Sequence, residues 1–486
     1  MDRQPRSFFE TPISAPPERG RLFLVTYHFP PDQAAGALRW EKLARHAVER
    51  GFGLDVLTRD PADLPSADLA RLRELPPGIR IFGVRERELA VRRVEHALWR
   101  AYRRLSPTRS EAGPVRVAGR PPQKSSYARS ELRLELLSPH GWKRAYNGWA
   151  LYASHRAWAR RTARLGRRLF DPARHRIIVS CGPPHGAHEG ARRLAQVTGL
   201  PFVTDLRDPW SLVERWVDSV ASSLTPRIAR RHERVTVREA TLVVMNTEPA
   251  RAAMQALYPQ QADRILAIMN GYDEDEELPR TPRDGCFRLA YAGTIYLDRD
   301  PGTLFRAAAR VVRELGLTPE ELAIEFMGLV EQHEGFSIQS LARKAGLEGF
   351  VRVHPPGTRR QAAEFLARAV VLVNLPQDSH LAIPSKVFEY MRFDAWLLAL
   401  AEPGSATELL LRETDADVAA PDDVDGIARI LRTRYLEHRR GIKPRPLARD
   451  GRWSRRAQAE RLFEALDRVL DQRARAARVR RADPDA

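Results

Sequence analysis

Short apolar runs separated by mixed helical stretches recur along most of this 486-residue chain. The first, RLFLVTY at residues 21–27, has the length and unbroken hydrophobicity of a strand buried on both faces. A Pro/Gly-containing loop, HFPPDQAAGALRW, follows it. Then come a helical pattern over Glu41–Glu49 that stops at Gly51 and a second strand pattern, GLDVLT, at 53–58. A strand–helix–strand unit predicts parallel pairing, because the helix carries the chain back to start the next strand in the same direction. The alternation resumes at RIIVSC (176–181), PFVTDL (201–206) and TLVVMN (241–246). A second series runs through FRLAYAG (287–293), LAIEFMG (322–328), FVRVHPP (350–356), AVVLVNL (369–375) and WLLALAE (396–402). The two series meet around Asn270–Gly285. They predict an α/β protein of two Rossmann-like, doubly wound domains, 21–275 and 286–430, facing a central cleft. The length fits two hydrophobic cores better than one. Residues 1–20 read as a disordered tail and 431–486 as a basic helical segment.

Residues 91–170 interrupt the first series. LWRAYRRL and HGWKRAYNGWALYASHRAWARRTARLGRRLF are helical in pattern, and Trp142, Tyr146, Trp149 and Tyr152 share a face, with Trp158 nearer its edge. Such a helix either lies on a membrane interface or packs on a core behind an arginine-covered outer side. Between them, SPTRSEAGPVRVAGRPPQKSSYARS is rich in Pro, Gly and Ser and reads as a mobile loop. The tail from Asp450 to Arg480 is a helical pattern with a partial apolar stripe of Trp453, Leu462, Leu466 and Leu470.

Composition sharpens this. With 43% hydrophobic and 29% charged residues the chain is globular. No run of 18 apolar residues exists, and the N-terminus lacks the apolar core of a signal peptide. Only Cys181 and Cys286 occur, which excludes a disulfide framework and a Cys-based zinc site. A cytoplasmic protein is expected. The net charge of +18 is concentrated: residues 91–176 hold 21 Lys/Arg against 5 Asp/Glu, and 427–486 hold 18 against 8. That distribution suits an anionic surface (lipid headgroups, nucleic acid or an anionic acceptor) and equally suits solvated arginine-rich helices.

The candidate chemistry lies at the carboxyl ends of the expected strands, where such sheets hold ligands. In the first half these are the glycine loop with Gly36, GPPH with His185, and DLRDPW with Asp205 and Asp208. His28 is a further loop histidine. In the second half Gly293 and Thr294 end a strand, followed by Asp298, Arg299 and Asp300. IPSKVFEYMRF, residues 383–393, reads as a helix start with Pro384 at the first helical position. Ser385 and Lys386 then occupy its first turn, suited to phosphate, and Glu389 follows a turn later, suited to a ribose. No HExxH, CxxC or His–carboxylate metal pattern occurs.

These segments, in this order, resemble the retaining nucleotide-sugar glycosyltransferases of the GT-B fold, in the bacterial family 4 group and its PSK-FEY subgroup. The resemblance spans Arg21 to Leu431 apart from much of 100–140, and rests on FLVTYHFPPDQAAGALRWEKLARHAVERG, SCGPPHGAHEGARRLA, FVTDLRDPW, NGYD, LAYAGTIYLDRDPGTLFRAA and IPSKVFEYM. It implies a hexosyl transfer from a nucleoside-diphosphate sugar to a glycan, lipid-linked or small-molecule acceptor, as in polysaccharide biosynthesis. It also implies no metal and no cofactor beyond the donor. The family's arginine after the second-domain glycine falls on Thr294, and its lysine five residues on falls on Arg299. Arg299 is then the diphosphate contact, with Lys386 compensating for the lost arginine. The family's paired glutamates fall on Leu381 and Glu389, so the ribose contact is kept and the sugar-hydroxyl carboxylate is missing. The catalytic set so implied is Arg299, Lys386, Asp208 and His185; Gly36, Asp205, Gly293, Thr294, Ser385 and Glu389 bind substrate.

Two other readings share these residues. A nucleotide-sugar 2-epimerase of the same fold would need more cleft carboxylates and histidines than the second domain offers. A basic nucleic-acid-binding protein with a vestigial site would use the arginine-interleaved aromatics, but no nucleic-acid-binding motif accompanies them and no nucleic acid is expected as a partner. The +16 segment containing four tryptophans instead predicts peripheral contact of residues 142–170, helped by the C-terminal helix, with an anionic inner membrane face.

Overall fold

A computed structural model describes residues 5–12, 16–105, 126–128, 139–208, 210–295, 299–330, 332–333, 336–376 and 379–482. The first sheet consists of β1 (Phe9–Glu10), β2 (Arg21–Thr26), β3 (Gly53–Arg59), β4 (Ile79–Val84), β5 (His175–Gly182), β6 (Phe202–Leu206), β7 (Leu242–Met245) and β8 (Ile265–Ala267). Their spatial order is β1-β4-β3-β2-β5-β6-β7-β8, parallel except for β1. The second sheet consists of β9 (Phe287–Ala292), β10 (Leu322–Met327), β11 (Val351–His354), β12 (Val371–Asn374), β13 (Trp396–Leu400) and β14 (Asp417–Ala419). Its order is β11-β10-β9-β12-β13-β14, parallel throughout. Both sheets therefore reverse winding beside their first parallel strand, between β2 and β5 and between β9 and β12. Those two switch points are where an open parallel sheet leaves a crevice.

Three parts differ from the sequence reading. The tail is not wholly unstructured: Phe9 pairs with Ile81 at the sheet edge, and Ile79 N–H donates to Thr11 Oγ1 at 2.9 Å. That edge pairing is long-range, so local composition does not betray it. Helix α1 (Leu38–Glu49) packs against the last helix, α9 (Arg455–Ala482), which lies some 400 residues away. Leu462, Phe463 and Leu466 of α9 are fully buried in the first domain's core, and Asp467 pairs with Arg19 and Arg50. The C-terminal helix thus buries its apolar stripe in the first domain's core. Third, α2 (Ala90–Leu105) and α3 (Pro139–Leu169) divide the basic insertion. Trp158 is fully buried, its indole N–H donating to the Val84 carbonyl at 3.2 Å, so the second half of α3 belongs to the core. The expected mobile loop lies outside the described residues except Ser126–Ala128, which pairs with Arg215–Val217. No described helix is long and apolar enough to cross a membrane.

Candidate functional site

At the second switch point the chain leaves β9 through Gly293, whose φ of +132° lies in a region that side chains avoid. A methyl group there would come within 2.6 Å of Lys386 Nζ. Glycine is therefore required twice over: by its dihedral angle and by the ammonium above it. Lys386 Nζ donates to the Ala292 carbonyl at 2.9 Å and sits 3.8 Å from the Tyr291 ring centroid. The aromatic face and the carbonyl fix the ammonium at the strand's end. Tyr390, fully buried, accepts from the Ala292 N–H at 2.9 Å, and burial pushes its phenol pKa up, with Arg299 among the nearby charges acting the other way. Arg299 is itself buried. Thr294 is exposed, and its carbonyl accepts from Tyr291 Oη at 2.8 Å. Asp298 lies outside the described residues.

The helix carrying Lys386 is α7, Ser385–Tyr390, only six residues long. Pro384 sits at its N-cap with ψ of 134°, not at the first helical position, because its backbone is still extended. So short a helix has little dipole. Ser385 is exposed on the first turn. Glu389 is half-buried and belongs to a charged group at the junction of the domains. It acts electrostatically on Arg359, at the start of α6 (Arg359–Ala367), and on Arg455, at the start of α9. Arg455 is buried and donates to the Asn270 and Gly271 carbonyls at 3.4 and 3.2 Å. Burial lowers its pKa, outweighing the opposing field of Asp273. Lys42 of α1 reaches Asp273 at 2.5 Å, so NGYD 270–273 is the connection on which charges from both domains converge.

Leu381, where the resemblance lacks its first glutamate, packs into the first domain's core, and its carbonyl accepts from Thr247 Oγ1 at 2.6 Å. That position serves a domain–domain contact here. His380 N–H donates to Glu214 Oε2 at 2.7 Å beside it.

At the first switch point Gly36 lies under Arg207: a methyl group on it would come within 2.5 Å of Nη1. Arg207 reaches Asp208 at 3.4 Å, and Asp208, 44% exposed, faces outward. His185 stands at the N-cap position of α4 (Gly186–Thr198) without a capping hydrogen bond, and its ring stacks on Trp210 at 4.8 Å. Burial, with His188 beside it, holds its pKa well below the usual histidine range. His28 pairs with Asp32 at 2.6 Å.

Asp205 departs from the expected cleft-facing role. Its side chain is 0% exposed and binds Arg39 at 2.7 and 3.0 Å and the Trp40 indole N–H at 2.9 Å. Arg39 continues to the Ile268 carbonyl at 3.0 Å and Asn270 Oδ1 at 3.1 Å. Asp205 thus ties α1 to the interdomain connection and does not line the surface. Arg39 and Arg455 went unread in the sequence because nothing local distinguishes a buried arginine from a solvated one. His188 was missed as well. It is fully buried, with Nδ1 bonded to Ser180 and Thr204 at 2.8 and 2.9 Å and Nε2 unpartnered. Its signal was the helical spacing from His185.

Burial lowers the His188 pKa to about 3. Between that value and its ordinary range near 6.5, the unfolded chain binds a proton that the folded chain refuses, so stability rises with pH across the window. Acidification from pH 7 to 4 should cost about 2–3 kcal/mol at this one group. A His188→Gln variant should show a correspondingly shallower loss of melting temperature; an identical slope would contradict this.

Among the described residues no group of three His, Cys, Asp or Glu is arranged to hold a metal ion.

No protein-family model matches the chain. A stretch covering 30% of it is 26% identical over 160 residues to D-inositol 3-phosphate glycosyltransferase of Nocardiopsis dassonvillei. The same-named protein of Xylanimonas cellulosilytica is 27% identical over 164 residues, and in both the match covers 37% of the relative. The chain thus spans about a third of the length of the relatives it matches. Among solved structures, Anabaena HepE in complex with UDP and glucose aligns with a TM-score of 0.53 at 13% identity, covering 92% of this chain and 99% of that one. Sucrose-phosphate synthase from Thermosynechococcus elongatus aligns at 0.54 and 14%, covering 93% and 100%. The chain has the GT-B fold that these glycosyltransferases share.

Proposed function

We propose that this chain is a glycosyltransferase that moves a sugar from a nucleoside-diphosphate donor to an acceptor hydroxyl. The observation that carries the reading is Lys386, an ammonium held on a carbonyl and an aromatic face beside Gly293 at the second switch point. A diphosphate is the anion that such a crevice suits. The fold supports it: HepE has been solved in complex with UDP-glucose and with UDP.

In the proposed reaction the bond between the sugar's anomeric carbon and the β-phosphate oxygen breaks, and its electron pair leaves with the diphosphate. Lys386 and Arg299 offset the charge that develops there. The acceptor oxygen forms the new bond, with retained configuration, and its proton passes to the departing phosphate. Glu389 accepts from the ribose hydroxyls. His185, held neutral, offers its imidazole to an uncharged sugar or acceptor hydroxyl, and Gly36 leaves room beneath Arg207. No step calls for a metal, so activity should survive EDTA; its loss, restored by Mg²⁺, would contradict this.

A thermal-shift panel of UDP, GDP, dTDP and ADP tests the reading. One diphosphate at 100 times its Kd should raise stability by about 2.7 kcal/mol, and no shift with any of the four would count against it. Glu389→Ala should raise the donor KM about tenfold or more at unchanged melting temperature, the cost of a charge-assisted hydrogen bond. Unchanged kinetics in that variant would remove the ribose assignment.

A further inference from the structure

We propose that the exposed apolar and aromatic faces of α2 and of the first half of α3 form a docking surface for an anionic lipid bilayer. On α2, Val91, Val94 and Leu98 recur at the three- and four-residue spacing of one helical face and are 42%, 58% and 67% exposed. On α3, Trp142 and Trp149 lie two turns apart on one face and are 65% and 45% exposed. Soluble surfaces rarely gather large apolar side chains in this way, and a patch of them marks a contact surface. The two helices are fastened to each other. The Arg92 guanidinium covers the Tyr146 ring at 5.1 Å and donates to Asn147 Oδ1 at 3.1 Å. Tyr146 donates to Glu95 Oε2 at 3.0 Å, and its ring lies 6.0 Å from that of Trp149.

Charge selects the occupant. Lys143 is exposed beside Trp142, in a segment holding 21 basic against 5 acidic residues. Indole rings favour the headgroup level of a bilayer, and lysines and arginines beside them are drawn to anionic lipid. The aliphatic stripe decides against nucleic acid, since Val91, Val94 and Leu98 gain nothing from a polyanion but lose contact with water in an acyl boundary. The surface is also well placed. Six residues past Trp149, about 9 Å along the axis, His155 packs its Cβ under Gly186 and its ring edge-on to Tyr27 at 5.5 Å. The helix that would rest on the bilayer therefore continues directly into the wall of the first domain's switch point. This narrows the expectation for residues 142–170: the second half of α3 and the C-terminal helix are occupied by the core.

Flotation of the full chain with vesicles tests the proposal. The protein should float with phosphatidylglycerol–phosphatidylcholine vesicles at low salt, ignore phosphatidylcholine alone, and be released by salt, because exposed charges are screened within about 10 Å at 0.1 M. A Trp142→Ser/Trp149→Ser variant should bind at least tenfold less at an unchanged melting temperature, since both rings are exposed. Lys143→Glu should cost about fivefold or more. Absence of flotation at low salt overturns the proposal, as does full flotation of the double variant. So does capture by single-stranded DNA in preference to vesicles. Binding needs no nucleotide, so this result and the donor-binding result fail independently.

Discussion

Lys386→Ala should lower kcat/KM for sugar transfer about 10- to 100-fold while the protein melts at its usual temperature. Losing a charge-assisted hydrogen bond costs about 1.5–3 kcal/mol, and each 1.36 kcal/mol is tenfold in rate. Stability should hold because the side chain is only half-buried. Arginine should not rescue it. A guanidinium is larger and planar, and the ammonium already sits where a methyl on Gly293 would lie within 2.6 Å. Gly293→Ala should therefore reproduce much of the lysine's loss, by moving the charge rather than removing it. A Lys386→Ala enzyme with wild-type kinetics, or a fully active Gly293→Ala enzyme, would mean that the phosphates bind elsewhere.

Asp205→Asn should destabilise the fold by about 3–5 kcal/mol, the cost of leaving one partner of a buried ion pair uncompensated. Arg39 would keep its charge in a site with almost no solvent access, donating to the Ile268 and Met269 carbonyls and to Asn270 Oδ1. The Trp40 indole would face an amide that no longer accepts as a carboxylate does. Chemical denaturation gives the number. A variant that unfolds like wild type but loses catalysis would return Asp205 to the substrate-facing role that the sequence suggested.

The strands were legible where burial on both faces makes the sequence continuously apolar, as in Leu242–Met245 and Trp396–Leu400. Ile79–Val84 escaped notice because Arg80 and Gly83 interrupt it, and Arg80 is tolerated only because it pairs with buried Asp55. The apolar stripe of the last helix was readable, but its destination was not: burial is written locally, the partner is not. The same holds for the aromatic stripe of α3, which splits between core and solvent at a point set by the sheet beneath it. Gly293 could be placed at a strand's end because a parallel sheet dictates where ligands go, whereas Lys386 and Glu389 were read from a helix start and a family resemblance. Asp205 was misplaced because a carboxylate beside a cleft and one buried against an unseen arginine look alike in sequence.

The central claim is that a donor diphosphate lies at the second switch point, against Lys386. Its most direct test is a crystal structure with whichever nucleoside diphosphate gives the largest thermal shift. β-Phosphate oxygens should lie within hydrogen-bond reach of Lys386 Nζ and beside Gly293, with the ribose turned toward Glu389. Phosphates bound away from Lys386, or a ribose with no contact to Glu389, would contradict it.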